Sequence, residues 1–343
     1  MKVVVLKNDS IGDTIHSLPS INEILVKHNS DDIYFFLSKI NQYTFFFFKK
    51  SNTHLKIFNY SLSFVEKIKV FLFFLFNKID TAYILCPKNF YFYLPFFFRN
   101  TKFSGLCLNA NNNKFRPLIF MRKYLYFYLI NDRTLEGKRE SLKNLQLKLV
   151  NEGKIIRSEN RLNLKIPPEN ETNFKTPNKY IFFHFKSDIF ENLNWDEKKI
   201  SNFLNNLSDI HDVLFITDIE GNNYVNFFME KFNFYDYDKN EYFSRNSKIT
   251  YLHRIVGLEL FRIIANSAKT IAPHSSFTNL SSFYNIPTID LFYMKSLSKS
   301  DLQSYRNAAR EFSPFNKKYF RLIPSIDYDK TIKKILLFSK KYE

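Results

Sequence analysis

Cysteine and glycine are scarce in this sequence of 343 residues, which contains 2 cysteines and 6 glycines. Cys86 and Cys107 provide no disulfide framework and no C-x-x-C metal-ligand spacing, so we expect a protein of a reducing compartment. Glycine is far outnumbered by 41 phenylalanines and 21 tyrosines. We interpret most of these aromatic residues as core residues that take the place of leucine or valine.

Long apolar runs are also absent. No stretch approaches the roughly 18 uninterrupted apolar residues of a membrane-spanning helix. The longest runs, VFLFFLF at 70–76 and FYFYLPFFF at 90–98, are interpreted as buried strand or helix segments. The opening VVVL is too short for the apolar region of a signal peptide. We therefore expect a soluble, cytoplasmic protein whose 45% apolar residues form sizeable cores.

Acidic residues are sparse in the first half of the chain. Residues 1–165 contain 26 basic and 12 acidic residues, a net charge of +14, whereas residues 166–343 contain 24 and 21, a net charge of +3. This asymmetry indicates that the first half meets something anionic. A phosphorylated glycolipid, an anionic membrane surface and nucleic acid would all fit. The sequence has no recognised nucleic-acid module, so nucleic acid is not the expected partner.

The pattern of strands and helices indicates two α/β domains. Predicted strands lie at 2–6, 33–37, 80–87 and 101–108 in the first half, and predicted helices at 14–28 and 136–154. A polar segment with three prolines, 166–178, precedes a second series of alternating strands and helices. Such alternation predicts parallel sheets covered by helices on both faces, and two such domains would form a ligand-binding cleft.

We place an N-terminal Rossmann-like domain at 1–165 and a C-terminal domain at 166–326. The remaining residues, 327–343, are predicted to form a helix that could pack back on the N-terminal domain.

The stretch SIGDTIHSLPSI at 10–21 follows directly on the first predicted strand. Two interpretations of its polar residues are open. Ser10 or Asp13 could cap the helix that begins here, because serine and aspartate accept hydrogen bonds from the unpaired N–H groups of a first helical turn. Alternatively, Asp13 faces a ligand, since ligands of open parallel sheets bind at the carboxyl ends of the strands.

Two segments resemble the family-nine glycosyltransferases, the heptosyltransferase group that acts on lipopolysaccharide. The opening VVVLKNDSIGDTIHSLPSINEI is similar to their first strand, Ser-Ile-Gly-Asp motif and Pro-Ser helix start. The stretch ELFRIIANSAKTIAPHSSFTNLSSFYNIPTIDLF at 259–292 resembles their nucleotide-sugar site, where a helix and strand lead into Asp-Ser-Gly-x-x-His and a short helix. The resemblance extends over most of the chain, and the matching segments occur in the same order.

The resemblance implies a GT-B fold, in which two Rossmann-like domains face each other across a cleft and bind acceptor and donor respectively. It implies an inverting transfer that needs neither a metal nor another cofactor. Asp13 matches the position of the family's general base, which deprotonates the acceptor hydroxyl as it attacks. Gly12 would let the turn approach the cleft closely. His16 is either a contact for a phosphate of the acceptor or a structural histidine.

The resemblance also points to a donor site in the second half. Unpaired N–H groups at the start of the helix after Ser275 suit a diphosphate. Lys186 could neutralise the phosphates, and Glu220 could bind the ribose. Alternatively, Lys186 is a solvated surface lysine and Glu220 is a charge favoured at the start of a helix. The full set of candidate donor residues is Lys186, Glu220, His274, Ser275, Ser276, Thr278 and Asn279.

The sequence departs from the family at this donor motif. His274-Ser275-Ser276-Phe277-Thr278-Asn279 stands where the family has Asp-Ser-Gly-x-x-His, so both the acidic residue and the histidine of the motif are replaced. A charged His274 could bind phosphates. Leu193 holds the place of a family lysine, and His184 at a strand end is either structural or functional.

The leading hypothesis is an inverting glycosyltransferase that builds a lipopolysaccharide core or another surface glycan. Its partners would be a nucleotide-sugar donor and an anionic glycolipid or glycan acceptor, with peripheral contact to the inner membrane surface. The alternative is a non-catalytic relative of the same fold that binds a nucleotide sugar or glycan without transfer.

Overall fold

A computed structural model describes residues 1–110, 114–117, 119–134, 139–154, 165–168, 174–218, 224–292, 299–324 and 327–341. The chain divides into two compact units. The first comprises Met1–Lys165 and Ser298–Ser313, and the second comprises Ile166–Leu297 and Pro314–Glu343. Each unit is built around one mostly parallel sheet with helices, so the α/β class predicted from the sequence is confirmed.

The first sheet has seven strands within the described residues. They are β1 (Lys2–Lys7), β2 (Asp32–Ser38), β3 (Thr53–Phe58), β4 (Thr81–Ile84), β5 (Lys102–Ala110), β6 (Lys114–Arg116) and β7 (Phe127–Asp132). Their order is β3-β2-β1-β4-β5-β6, with β7 also paired to β5, and only β5–β6 is antiparallel. Residues 3–6 of β1 are fully buried, as expected of a central parallel strand that is covered on both faces.

The second sheet has eight strands within the described residues. They are β8 (Tyr180–Phe185), β9 (Asp212–Thr217), β10 (Asn233–Asp236), β11 (Glu241–Phe243), β12 (Ile249–His253), β13 (Lys269–Pro273), β14 (Thr288–Leu291) and β15 (Tyr319–Leu322). Their order is β11-β10-β12-β9-β8-β13-β14-β15, and only β10–β11 is antiparallel. The strand order reverses between β8 and β13, as it does between β1 and β4 in the first sheet. Such a switch point leaves a crevice at the carboxyl ends of the strands.

Eleven α-helices lie within the described residues. In chain order they are α1 (Ile11–Lys27), α2 (Phe64–Asn77), α3 (Asn89–Phe97), α4 (Leu142–Val150), α5 (Ser187–Asn192), α6 (Glu197–Ser208), α7 (Tyr224–Lys231), α8 (Gly257–Asn266), α9 (Ser276–Phe283), α10 (Lys299–Glu311) and α11 (Tyr328–Lys341). A 3₁₀ helix at Ile119–Tyr124 follows β6. Throughout the part of the chain that is described, none of the helices combines the length and hydropathy needed to cross a membrane.

Phenylalanines occupy much of both cores, as the composition suggested. Phe183, Phe185 and Phe190 pack together in the second unit, and Phe74 stacks on Phe103 in the first. The apolar runs at 70–76 and 90–98 differ from expectation, because both belong to helices with one face exposed to solvent. Their aromatic residues are therefore only partly core residues.

The first helix begins earlier than predicted. It starts at Ile11 rather than residue 14, because Ser10 caps it and accepts a hydrogen bond from the N–H of Asp13 at 3.2 Å. Gly12 and Asp13 thus lie in the first helical turn rather than in the turn before it, and Pro19 lies inside the helix.

The C-terminal helix packs on the second unit, contrary to the expectation that it would return to the N-terminal domain. Ile332 and Ile335 of α11 join the core of that unit, and the hydroxyl of Tyr328 donates to the carbonyl of Lys199 at 2.9 Å. The segment that does return to the first unit is 298–313, which includes α10. Residues 165–168 and 174–179 form neither helix nor strand, consistent with a connecting segment.

Candidate active site

A pocket of about 190 Å³ lies at the carboxyl ends of the strands of the first sheet. Its walls come from the residues that follow β1, β3 and β4, from β5 and β7, and from α4. The lining residues are Lys7, Asp9, Asp13, Tyr60, Leu85, Cys86, Pro87, Lys88, Leu106, Leu108, Asn131, Arg133, Leu142 and Gln146. Because β1 and β4 flank the switch point of this sheet, the pocket occupies the place where open α/β sheets bind their ligands.

Asp13 combines both roles that the sequence left open. Its carboxylate Oδ2 accepts a hydrogen bond from the Ser10 hydroxyl at 2.9 Å, and its N–H donates to the same hydroxyl. Asp13 therefore takes part in capping α1, where a negative charge also complements the helix dipole. Its other oxygen, Oδ1, accepts no hydrogen bond from any of the described residues, and the side chain lines the pocket. One oxygen is held in place while the other is available to accept a proton.

A buried ion pair lies beside Asp13. The Lys7 ammonium, which is almost fully buried, donates to Asp9 Oδ2 at 2.6 Å. Burial alone would lower the pKa of Lys7, but the carboxylates of Asp9 and Asp13 outweigh it and raise that pKa. Burial raises the pKa of Asp9 to about 6, with the Lys7 ammonium opposing the rise. The pocket floor thus holds a permanent cation next to two carboxyl groups.

Neighbouring polar groups fix this pair. Thr14 donates from Oγ1 to Asp9 Oδ1 at 3.2 Å, and the Asn41 amide donates to Thr14 Oγ1 at 2.6 Å and to the carbonyl of Lys7 at 2.8 Å. Because Asn41, Thr14 and Lys7 are all buried, the carboxylate of Asp9 has little freedom to move. The network preorganises this end of the pocket.

The opposite wall carries an amide and a guanidinium group. Gln146 of α4 is fully buried and donates to the carbonyl of Leu85 at 3.1 Å, but its Oε1 has no hydrogen-bond partner among the described residues. A buried acceptor without a partner is costly unless a ligand supplies the donor. Arg133 donates from Nε to Glu311 Oε1 at 2.8 Å, and Asn131 donates to the same oxygen at 3.0 Å. Glu311 of α10 therefore orients two lining residues.

Two other candidates from the sequence, Gly12 and His16, are buried in α1. His16 is fully buried, and its ring lies 5.4 Å from that of Phe312, which follows α10. Gly12 is buried in the first helical turn, and its backbone is not in the left-handed region. The structure thus packs His16 against Phe312 and places Gly12 inside the helix rather than in the turn before it.

In the second unit, His274 is tied to a buried carboxylate. His274 follows β13, and its Nδ1 donates to Asp290 Oδ2 at 2.8 Å. Tyr319 donates to the same oxygen at 2.8 Å and Arg321 at 3.3 Å, while Asp290 has no exposed surface. The hydrogen bond from Nδ1 fixes the orientation of the imidazole at the carboxyl end of the sheet.

The first turn of α9 is a complete capping box. Ser275 accepts through Oγ from the N–H of Phe277, and the Thr278 hydroxyl accepts from the N–H of Ser275. Thr278 and Asn279 are buried, so the structure does not present their side chains to a ligand at the helix start. Ser275 and Ser276 are partly exposed there. The structure therefore brings together His274, Ser275 and Ser276, with the positive end of the helix dipole.

The remaining candidates lie at the ends of β8 and β9. His184 is buried against the ring of Phe277 at 4.9 Å, and burial lowers the pKa of its imidazole to about 4. Its Nδ1 has no hydrogen-bond partner among the described residues. Lys186 occupies the position before α5 and pairs with Asp188 at 3.3 Å. Leu193 is a buried core residue, and Glu220 lies outside the described residues.

Sequence reasoning missed several residues of these two sites. Lys7 and Asp9 sit at the end of the first strand, where their position at a carboxyl end was a usable signal. Asn131, Arg133 and Gln146 carry no such signal, because the sequence pattern does not indicate β7 and the spacing of α4 indicates only its apolar face. Asp290 lies inside a buried strand, and the sequence does not indicate which side chains donate hydrogen bonds to it.

Comparison with known proteins bears on the fold. No protein-family model matches the sequence, and no curated protein matches it. Among solved structures, ADP-heptose lipopolysaccharide heptosyltransferase II from E. coli aligns with a TM-score of 0.67 at 14% identity, over 100% of this chain and 98% of that one. A family 9 glycosyl transferase from Veillonella parvula gives 0.69 at 12% identity, over 99% and 96%. The fold is that of the GT-B glycosyltransferases.

A third structure, the E. coli heptosyltransferase WaaC with ADP, gives a TM-score of 0.61 at 10% identity over the whole of both chains. The fold expected from the sequence resemblance is therefore confirmed. The same fold also serves other chemistry, since UDP-GlcNAc 2-epimerase from Methanocaldococcus jannaschii aligns with a TM-score of 0.54 at 13% identity, over 98% and 92%. Function has to be argued from the residues of the site.

Proposed function

We propose that this chain is a glycosyltransferase that moves a sugar from a nucleotide-sugar donor to a hydroxyl group of a lipopolysaccharide core or another surface glycan, at the cytoplasmic face of a membrane. Asp13 in its pocket is the observation on which the proposal depends. One oxygen of its carboxylate is held by Ser10, and the other has no partner among the described residues. A carboxylate in this state can accept a proton from a bound hydroxyl group.

The proposed reaction inverts the sugar carbon and uses no metal or other cofactor. The acceptor oxygen attacks the anomeric carbon while its proton passes to Asp13. The bond from that carbon to the diphosphate breaks, and its electron pair leaves with the phosphate oxygen. The Lys7 ammonium would supply positive charge beside the carboxyl groups of Asp9 and Asp13 at the floor of the pocket.

The pocket of the first unit would hold the acceptor. Gln146 Oε1 would accept a hydrogen bond from an acceptor hydroxyl, and Arg133 and Lys88 would attract an anionic group. The net charge of +14 in residues 1–165 suits an anionic glycolipid or glycan.

The second unit would hold the donor. The start of α9, with Ser275 and Ser276, would bind the diphosphate through N–H groups and hydroxyls, and His274 would approach it as a further hydrogen-bond donor. Lys186 stands near this end of the sheet and would add positive charge. Asp290 would act as a positioning residue, because it orients the imidazole of His274.

The alternative is a relative of the same fold that binds a nucleotide sugar or glycan without transferring it. The changed donor motif supports this alternative, because His274 replaces an acidic residue and the side chains of Thr278 and Asn279 are buried. The two functions differ in their dependence on Asp13.

A comparison of Asp13→Asn with Ser10→Ala tests the proposal. Asp13→Asn keeps the shape of the side chain but removes the base, whereas Ser10→Ala weakens the cap and keeps the carboxylate. Thermal shift with ADP, UDP, GDP, CMP and their sugar conjugates first identifies the donor. Transfer of that sugar to lipopolysaccharide with a truncated core is then measured for both variants.

We expect one nucleotide to stabilise the wild type and both variants. Transfer should fall by roughly 10²–10⁴-fold in Asp13→Asn and by far less in Ser10→Ala. Transfer that survives in Asp13→Asn would refute the role of the base. Stabilisation by a nucleotide sugar without any transfer by the wild type would favour the non-catalytic alternative.

A further inference from the structure

Helix α2 carries most of its large apolar side chains on the outside of the protein. Phe64 is 76% exposed and Phe76 is 75% exposed. The six exposed apolar residues of this helix are Phe64, Val65, Ile68, Leu72, Leu75 and Phe76. A helix that covers a core normally hides such residues, so this surface requires an explanation.

The exposed residues of α2 form one continuous stripe. At about 100° per residue, all six fall within an arc of roughly 120°. Val70 and Phe74 lie on the opposite side and are buried in the core of the first unit. Lys67 and Lys69 are exposed and flank the stripe on its two sides. An apolar stripe bordered by lysines is the pattern of a helix that lies in a membrane interface.

Helix α3 and the 3₁₀ helix at Ile119–Tyr124 extend the stripe. The ring of Phe71 lies 5.4 Å from that of Phe97, and the ring of Phe96 lies 5.2 Å from that of Tyr124. We call the combined surface the aromatic face. It consists of the α2 stripe together with the exposed residues Tyr93, Phe96, Phe97 and Phe120.

The charge around the aromatic face is predominantly positive. Residues 81–131 contain no acidic residue, and their seven basic residues are Lys88, Arg99, Lys102, Lys114, Arg116, Arg122 and Lys123. The Arg99 guanidinium lies 5.8 Å from the ring of Phe96 and 5.7 Å from that of Tyr124, so positive charge borders the aromatic rings directly. The single acid of α2, Glu66, is engaged by the backbone N–H groups of Asn59 and Ser63.

We propose that the aromatic face docks on an anionic lipid bilayer, with the aromatic and aliphatic side chains at the level of the headgroups and the lysines and arginines on lipid phosphates. Positive charge next to apolar side chains complements such a surface on both counts. A second copy of the chain complements the aromatic face less well, because a two-fold contact would bring the basic residues of one copy against the same basic residues of the other.

The position of the pocket supports a lipid surface over a protein partner. Tyr60 precedes α2 and Lys88 immediately precedes α3, and both line the pocket that contains Asp13. The Lys88 ammonium lies 4.5 Å from the centre of the Tyr60 ring and donates to the carbonyl of Tyr60. Both helices of the aromatic face thus begin at the rim of the pocket, where a lipid-anchored acceptor could reach Asp13. This last step rests on the proposed function, but the docking itself does not.

Flotation with vesicles tests the docking. Full-length protein is mixed with vesicles of phosphatidylcholine alone or of phosphatidylcholine with phosphatidylglycerol, without donor or acceptor. We expect binding only to the anionic vesicles and a loss of roughly tenfold or more in Phe64→Ser/Phe76→Ser and in Lys67→Glu/Lys69→Glu. The matched controls are Leu337→Ser and Lys333→Glu/Lys334→Glu on α11, which has exposed apolar and basic residues in the second unit.

A fluorescent label reports the contact directly. Phe76→Cys labelled with an environment-sensitive dye should shift to shorter wavelength on anionic vesicles, whereas labelled Leu337→Cys should not. The native thiols do not compete, since Cys86 and Cys107 are buried and burial raises the pKa of each to about 12. Equal shifts at both positions would refute the assignment of this face.

Two further results would overturn the proposal. One is vesicle binding that the Phe64→Ser/Phe76→Ser variant retains in full. The other is a wild-type dimer by sedimentation that this variant converts to a monomer, without binding of the wild type to vesicles, because the face would then serve self-association. Since no sugar is transferred in these experiments, their outcome is separate from that of the Asp13 test.

Discussion

At the scale of single residues, the titration of Asp9 should be visible in the stability of the fold. It is buried, hydrogen-bonded to Lys7 and Thr14, and has a pKa raised to about 6 from an ordinary value of 3.8. A carboxyl group with a raised pKa in the folded state stabilises the protein when it is protonated. That stabilisation is present at low pH and is lost as the pH rises through about 6.

The double variant Lys7→Met/Asp9→Asn should remove this effect together with both buried charges. Between pH 4 and 6.5, the free energy of unfolding of the wild type should fall relative to that of the variant by about 2 kcal/mol, since each unit of the pKa difference is worth about 1.4 kcal/mol and the titration is already under way at pH 4. Urea unfolding at a series of pH values measures the difference. The exposed pair in Lys27→Met/Glu152→Gln serves as the control and should show no such trend. A flat difference for the buried pair would mean that Asp9 does not titrate in this range.

Among elements, α9 and the strand before it determine how a diphosphate could be held. The capping box uses the hydroxyl of Thr278 within the helix start, so the ligand-facing groups are reduced to backbone N–H groups, Ser275, Ser276 and His274. The imidazole should therefore contribute a large share of diphosphate binding at this site.

Replacing His274 with asparagine should weaken nucleoside diphosphate binding roughly tenfold, the effect of one lost hydrogen bond to a charged group. Binding of the corresponding nucleoside should stay within a factor of two or so, because it lacks the phosphates. Titration calorimetry with the nucleotide found in the thermal-shift panel gives both values. His253→Asn, on another strand of the same sheet, is the control. Equal losses for nucleoside and diphosphate would place His274 away from the phosphates.

At the scale of the whole molecule, the chain leaves the first unit near residue 165 and returns to it through α10. Glu311 at the end of α10 is 2% exposed and accepts hydrogen bonds from Asn131, Arg133 and Arg139. Lys143 also donates to the carbonyl of Ser313 at 3.3 Å. The first unit is complete only with this late segment in place.

Glu311→Gln should destabilise the first unit selectively. Two arginines would lose their buried partner, so we expect a loss of about 3 kcal/mol in the free energy of unfolding of that unit. Hydrogen exchange read by mass spectrometry should show faster exchange in α4 and β7 and no change in β8 and β13. Glu230→Gln on the exposed face of α7 should change neither unit. Faster exchange confined to the second unit would contradict the assignment of α10 to the first.

The sequence predicted the regular elements better than the contacts between distant ones. The continuous apolar run at residues 3–6 indicated a buried strand, and the C-terminal helix predicted within 327–343 is observed at Tyr328–Lys341. The pairing of Arg133 with Glu311 spans 178 positions, and no local pattern contains it. Helix α10 was missed because few of its residues are apolar.

The candidate site was predictable where it followed the family motif. Asp13 was found in this way, and its partner Ser10 was identified as a possible cap. The sequence alone does not distinguish Thr278, which belongs to the helix cap, from His274, which we propose contacts the diphosphate. Each role depends on which hydroxyl or carboxylate lies within 3 Å or so in the fold. Burial of Thr278 and the hydrogen bond to Asp290 decide between them.

The late return of α10 also matters while the protein is being made. Ribosomes add about 5–20 residues per second, so roughly 7–30 seconds pass between the synthesis of residue 165 and that of Glu311. During this interval the nascent first unit lacks the carboxylate that Arg133 and Arg139 bind, and the ring of Phe312 that covers His16. A chaperone that shields hydrophobic nascent chains would therefore bind the incomplete first unit during this interval, before α10 leaves the ribosome.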